Sequence, residues 1–355
     1  MAAVSDRACR PATSPRGQPG KRIRRRREDG SQRLRRTFQW VFALLNLWIG
    51  AEFYLFVRYW ETGGATPFVP RPPGVEGWLP IAGLMNLKAW LETGRVPAIH
   101  AAAAILLAAF LLISFLFRKS FCSWLCPIGT LSEYLWRAGR QLFGRNFLLP
   151  RAVDIPLRSL KYLLLGFFLW AIGGMSAAAI EAFMQSPYGL IADVKMLNFF
   201  RHLGTTAAIV LSVLVILSLP VQNFWCRYLC PYGALVGLFS LLSPLRIRRD
   251  PVTCIDCARC ARACPAWLPV DRLIQVRSAE CTGCLECVAV CPVAGALELS
   301  APRRLPVPAW VMAAGIAIVF LALTGWAQFS GHWRTDLPAK VYLDLIPRAH
   351  EFRHP

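Results

Sequence analysis

Residues 254–265 read CIDCARCARACP and residues 281–292 read CTGCLECVAVCP, two copies of C-x-x-C-x-x-C-x-x-x-C-P. Three cysteines at this spacing can wrap one side of an iron–sulfur cube, with the fourth thiolate arriving from farther away. In two-cluster ferredoxins the fourth cysteine of each run ligates the other cluster. The pattern predicts one [4Fe–4S] cluster on Cys254, Cys257, Cys260 and Cys291, and a second on Cys281, Cys284, Cys287 and Cys264. Pro265 and Pro292 follow the crossing cysteines and turn the chain away, and VDRLIQVRSAE leaves room for one short helix or strand between the runs. Zinc takes four ligands, commonly as two pairs, and fits this spacing poorly. Disulfides need an oxidising compartment, whereas the charge pattern puts this segment on the reducing side.

The chain is 55% apolar over 355 residues, with a mean hydropathy of +0.42. A bilayer core takes about 20 mostly apolar residues per helix. Five stretches meet that length: 38–58, 98–117, 158–178, 204–222 and 307–328. YGALVGLFSLLSP at 232–244 is apolar but short, which suits an interfacial or re-entrant helix. The expected fold is an α-helical integral membrane protein of about five spans. Two repeated helix hairpins form its core, and a two-cluster ferredoxin-like α+β domain is inserted after them.

Net charge is +20, and the first 36 residues carry 12 Lys/Arg against 3 Asp/Glu. Outside the tail the basic residues cluster beside the apolar stretches rather than with aromatic residues on a groove, so the charge argues against nucleic acid as a partner. Basic flanks instead orient membrane helices with that side in the cytoplasm. They predict a disordered basic cytoplasmic tail (1–36), a four-span membrane core (37–245), a cytoplasmic ferredoxin-like domain (246–305), a fifth span (306–330) and a periplasmic tail (331–355). The expected location is a bacterial inner membrane, with lipid as the surrounding partner. The first apolar run is a full span with no clear small-x-small cleavage site, so it reads as a retained helix rather than an export signal.

FCSWLCPIGTL (121–131) and WCRYLCPYGAL (225–235) align without gaps, and each closes one of the expected hairpins. Cys122, Cys126, Cys226 and Cys230 are thereby candidates for a third redox or metal site. A reactive dithiol pair and inert buried thiols are the alternatives. His100 and His202 precede the two motifs at matching distances and are candidates for haem b ligation or for proton exchange with a quinol. Each also suits a membrane-interface histidine. Glu52 lies inside the first span, where a carboxylate is by default a functional hypothesis; accepting a quinol proton is one role for it.

Paired C-x-x-x-C-P motifs at 122–127 and 226–231, combined with the two cluster runs, resemble the ferredoxin-type membrane proteins of the NapH, NosR, CcoG and MauN groups. The resemblance covers residues 37–330 and implies membrane electron transfer, often between the quinol pool and a periplasmic redox partner. The leading expectation is an electron carrier, possessing two [4Fe–4S] clusters, that links the quinol pool or a cytoplasmic donor to a periplasmic redox protein. The alternative is an assembly factor in which the C-x-x-x-C-P thiols bind copper(I), a soft ion that thiolates favour. A redox sensor that signals through its clusters is a third reading.

Overall fold

The structure is a computed structural model that describes Arg24, Arg26 and residues 29–352. Residues 1–23, and Cys9 with them, lie outside the described residues. Helix α1 (Ser31–Glu61) begins within the segment assigned to a disordered tail, because Asp29 Oδ1 accepts the Ser31 amide at 2.8 Å and Arg35 is buried against the helices that follow. After it come α2 (Pro80–Thr93), α3 (Ala101–Phe117), α4 (Pro127–Phe143) and α5 (Arg151–Gly173). The short helices α6 (Ala177–Gln185), α7 (Pro187–Leu190) and α8 (Ala192–Arg201) lead into α9 (Thr205–Ser218) and α10 (Pro231–Leu241).

The ferredoxin-like unit follows. Strand β1 (Arg246–Arg249) pairs antiparallel with β2 (Leu297–Ser300), Arg246 opposite Ser300, and α11 (Arg259–Ala263) and α12 (Glu286–Ala289) carry the two cysteine runs between them. Helices α13 (Ala309–Phe329) and α14 (Ala339–Leu345) complete the described chain.

Among the described residues three helices are long and apolar enough to cross a bilayer: α1, α5 and α13. A fourth is gained if α8 and α9, bent by 79°, act as one broken span. Length and composition thus support three to four of the five expected spans. The stretch at 98–117 forms only the 17-residue α3, and this helix is the buried centre of the bundle, packed by α2, α10 and α13. Its small face, Ala101–Ala104, is almost wholly enclosed, which lets neighbours approach closely. The outward faces of the longer helices remain apolar and exposed, with Leu47 at 70% and Trp170 at 78%. Such a belt suits lipid rather than water.

The ferredoxin-like unit is continuous with the bundle. Ile247, Val270, Val276 and Leu285 share one apolar core with Trp124, Met312 and Ile316. Segment 62–79, helices α7 and α8 and the C-terminal α14 pack together at the opposite end around Phe56, Val75, Ile191 and Tyr342.

Candidate metal centres

In both cysteine runs the residues flanking the middle cysteine adopt left-handed backbone: Asp256 and Ala258 around Cys257 (φ 50° and 53°), Gly283 and Leu285 around Cys284 (φ 62° and 59°). For alanine and leucine this costs on the order of 1 kcal/mol. Left-handed residues leading into right-handed α11 and α12 form concave backbone nests, a recurrent feature of Fe–S sites. Sequence spacing predicts the thiols; it does not predict this strain.

The loops close into two rings. One cavity is lined by Cys254, Cys257, Cys260 and Cys291, and another by Cys264, Cys281, Cys284 and Cys287. The first lies at the surface beside exposed Val252 and Ile255. The second is pressed against the helices. Trp124 Nε1 donates to Gly283 O at 3.2 Å, Ser123 Oγ to Thr282 O at 2.7 Å, and Gln32 Nε2 to Cys284 O at 2.9 Å. Burial pushes the Cys284 thiol up to about 12, against the pull of the Arg35 guanidinium. All twelve described cysteines are free of disulfides.

Both C-x-x-x-C-P motifs form the same local structure. A single π-helical turn, Phe121–Leu125 or Trp225–Leu229, ends on a cysteine that caps the next helix, with proline in that helix's first position. Gly129 N donates to Cys126 Sγ at 3.4 Å and Gly233 N to Cys230 Sγ at 3.2 Å. Proline lacks an N–H and tolerates a first-turn position where no partner exists. The two turns bring Cys122, Cys126, Cys226 and Cys230 so close that every pair interacts electrostatically. Burial pushes Cys122 up to about 12, opposed by Lys119, and Cys126 up to about 11. Among the described residues no three His, Cys, Asp or Glu side chains converge on a single metal ion. The four C-x-x-x-C-P thiols instead line one common space.

That space is a cavity of about 770 Å³, within the range of ligand-binding pockets. All four thiols line it, together with Lys119 and Cys284 at one part and Asn46, Glu52, Trp78 and Arg334 at another. Glu52 is half-buried and has no hydrogen bond or ion pair among the described residues.

The two histidines have unlike surroundings, which removes the geometric basis for a shared haem. His100 is fully buried, with Nε2 2.8 Å from Gly189 O and Nδ1 3.4 Å from Glu76 Oε1. Both ring nitrogens are thus engaged by protein. His202 is exposed at the end of α8, and neither histidine lines the large cavity. Buried charges are what the sequence reading missed. Arg118 and Lys119 count there as inner-surface basic residues, yet both are enclosed, as is Lys161 of α5, whose Nζ lies 2.6 Å from Glu280 Oε1. Nothing in local sequence distinguishes an enclosed lysine from a membrane-flanking one.

The profile of a family described as "4Fe-4S binding domain" matches twice, at residues 99–146 and 203–249, one match over each C-x-x-x-C-P motif. A "4Fe-4S dicluster domain" matches residues 247–299. The putative electron transport protein YccM of Escherichia coli is 51% identical over 326 residues, covering 90% of this chain and 91% of the relative. The chain belongs to the NapH- and NosR-like family of ferredoxin-type membrane proteins. Within it, the ferredoxin-type protein NapH of Escherichia coli is 28% identical over 59% of this chain and 70% of its own length. Protein NirI of Paracoccus denitrificans is 31% identical over 50% of this chain and 26% of its own length. The ferredoxin-type family thus accounts for the cysteine runs and the apolar helices together, as iron–sulfur and membrane parts of one protein. No solved structure matches the chain.

Proposed function

We propose that the chain is an iron–sulfur electron carrier that exchanges electrons with the quinol pool and, through its outermost cluster, with a redox partner. The observation that carries this reading is the shared cavity: unpaired Glu52, the four C-x-x-x-C-P thiols and Cys284 all line one volume. A quinol's ring and isoprenoid tail fit an apolar space of this size. Its oxidation yields two electrons and two protons, and Glu52 is the carboxylate positioned to take a proton.

Three centres are assigned to the thiols. Cys254, Cys257, Cys260 and Cys291 hold the outermost cluster; Cys281, Cys284, Cys287 and Cys264 hold the one docked on the helices. Cys122, Cys126, Cys226 and Cys230 hold a third beside the cavity. Bound clusters supply one-electron redox chemistry, with potentials set by charge, hydrogen bonds to sulfur and burial. The protein's task is to fix them in sequence. The cavity thiols lead to Cys284, whose ring leads to the surface cluster, where Val252 and Ile255 offer a solvent-facing exchange point.

The proposed topology places residues 1–36, 118–150 and 223–306 in the cytoplasm and 331–355 outside, with α3 as a central fifth crossing sheltered from lipid. It follows the basic flanks. Residues 37–245 form the membrane core in this scheme, 246–305 the ferredoxin-like domain and 306–330 the last span.

Anaerobic purification with iron counting, followed by mixing with quinol in liposomes, tests the reading. About twelve irons per chain are expected from three clusters. Quinol should reduce the clusters, and Glu52→Gln should slow this at least tenfold while leaving iron content unchanged. Failure of quinol to reduce and of quinone to oxidise the clusters would overturn the quinol assignment.

A further inference from the structure

Lys119 is a buried cation without a partner. It is 4% exposed, lines the cavity shared by the four C-x-x-x-C-P thiols, and makes no hydrogen bond or ion pair through Nζ among the described residues. The neighbouring Lys161 is also buried and already takes the nearby carboxylate, Glu280, at 2.6 Å; Tyr162 Oη donates to the same oxygen at 3.3 Å. Two ammonium groups therefore face one carboxylate. Cys122 and Cys230, one cysteine from each half of the repeat, line the same cavity as Lys119, as does Glu280.

An enclosed ammonium that shares one carboxylate with a second lysine is left without full compensation for its lost hydration. Neutral thiols cannot offset it. A cluster ligated by four thiolates can, because its ligands outnumber the charge of its core and it remains anionic in both oxidation states. Resting on the reading of the tetrad as a third centre, we propose that Lys119 is the counter-ion of that centre and raises its reduction potential above the value the buried site alone would give. Lys119 acts through the field at the cluster, so it is a positioning and tuning residue rather than a ligand. Arg35 is paired with Glu133 and Glu286, and Arg227 with Asp154, whereas Lys119 shares Glu280 with Lys161, and the adjoining buried Arg118 is held by the Ser278 carbonyl rather than a carboxylate.

The test is a redox titration of the full-length protein, prepared without oxygen in lipid nanodiscs and read by electron paramagnetic resonance. Lys119→Met keeps much of the side-chain volume and removes the charge. It should shift the reduction equilibrium of the third centre at least tenfold toward the oxidised form, 59 mV for one electron. The ferredoxin-domain clusters should move much less, and Lys119→Arg should restore the wild-type value. Glu280→Gln, which leaves both lysines unneutralised, should shift the third centre the opposite way. It serves as the second variant should Lys119→Met fail to accumulate. A third-centre potential unchanged in Lys119→Met, an equal shift of all centres, or a shift of the same sign in Glu280→Gln would overturn the assignment of Lys119. A wild-type iron count of about eight would instead remove the third centre itself, and the counter-ion role with it.

Discussion

Arg35 of α1 and Glu133 of α4 meet in a buried two-pronged ion pair, with Nη1 to Oε2 at 2.6 Å and Nη2 to Oε1 at 2.8 Å. The same guanidinium reaches Glu286 of α12 at 2.9 Å, and Arg137 of α4 closes the network on both carboxylates. Gln39 adds a hydrogen bond to Glu133 at 2.9 Å. One arginine thus ties the first membrane helix, the helix after the first C-x-x-x-C-P motif and the second cysteine run into one unit. An electron carrier benefits from such rigidity because its centres must keep fixed separations.

Removing one partner of this network leaves buried carboxylates uncompensated, which costs about 3–5 kcal/mol. Arg35→Met should therefore lower thermal stability sharply and release the cluster held by Cys281, Cys284, Cys287 and Cys264 before the outermost one. Arg35→Met combined with Glu133→Leu should recover part of the loss. Thermal unfolding followed at cluster absorbance checks both. Equal loss of the two clusters at wild-type temperature would contradict this view of the joint.

How far the sequence alone reaches differs between the parts of this site. Cysteine spacing pairs the eight ferredoxin-type thiols in the crossed pattern of two-cluster ferredoxins, and the two cavities are lined by these same sets. The alignment of residues 121–131 with 225–235 also anticipated two equivalent turns. Span counting succeeded for α1, α5 and α13, where an apolar run and a long helix coincide. At α3 the apolar run yields a helix shorter than a full span, because hydropathy records composition and not which neighbours enclose a helix. His100 and His202 matched in position along the repeat but not in surroundings, because His100 takes its partners Glu76 and Gly189 from segments outside the repeat. Arg35, Lys119 and Lys161 were invisible for the same reason: a basic residue beside an apolar run looks alike whether it meets lipid headgroups or a buried carboxylate.

The opposite end of the molecule carries its own acid-sensitive joint. Burial pushes the Glu76 carboxyl up, but Arg71 at 2.8 Å, with His100 and Thr335, outweighs it and holds the group at about 2, below its usual 4.5. A carboxyl with a depressed folded-state pKa contributes stability that is fully present above about 4.5 and is lost as pH falls toward 2. At about 1.4 kcal/mol per unit the contribution is about 3 kcal/mol. Unfolding measured in detergent between pH 7 and pH 2 should become easier below about pH 4.5 in the wild type. Glu76→Gln should be less stable than wild type at pH 7, and the difference should shrink on acidification. A constant difference across that range would exclude Glu76 as the source.

The two glycines that follow the C-x-x-x-C-P motifs make unequal demands. A Cβ on Gly129 would fall 2.1 Å from the Cys122 carbonyl oxygen, an impossible approach to backbone, whereas a Cβ on Gly233 would meet Cys230 Sγ at 3.5 Å, ordinary contact. Alanine at 129 must push apart the π-helical turn that holds Cys122 above Cys126; alanine at 233 need not move its turn. Both substitutions are small and apolar and lie in helices, so propensity predicts a slight gain in each. Steric reasoning predicts a split. If the proposed third centre is held by Cys122, Cys126, Cys226 and Cys230, Gly129→Ala should lose about four irons and that centre's magnetic signature, with the ferredoxin-domain clusters retained. Gly233→Ala should keep full iron content. Equal iron retention by both variants would mean that the first turn can open without cost, and the rigid tetrad would have to be abandoned.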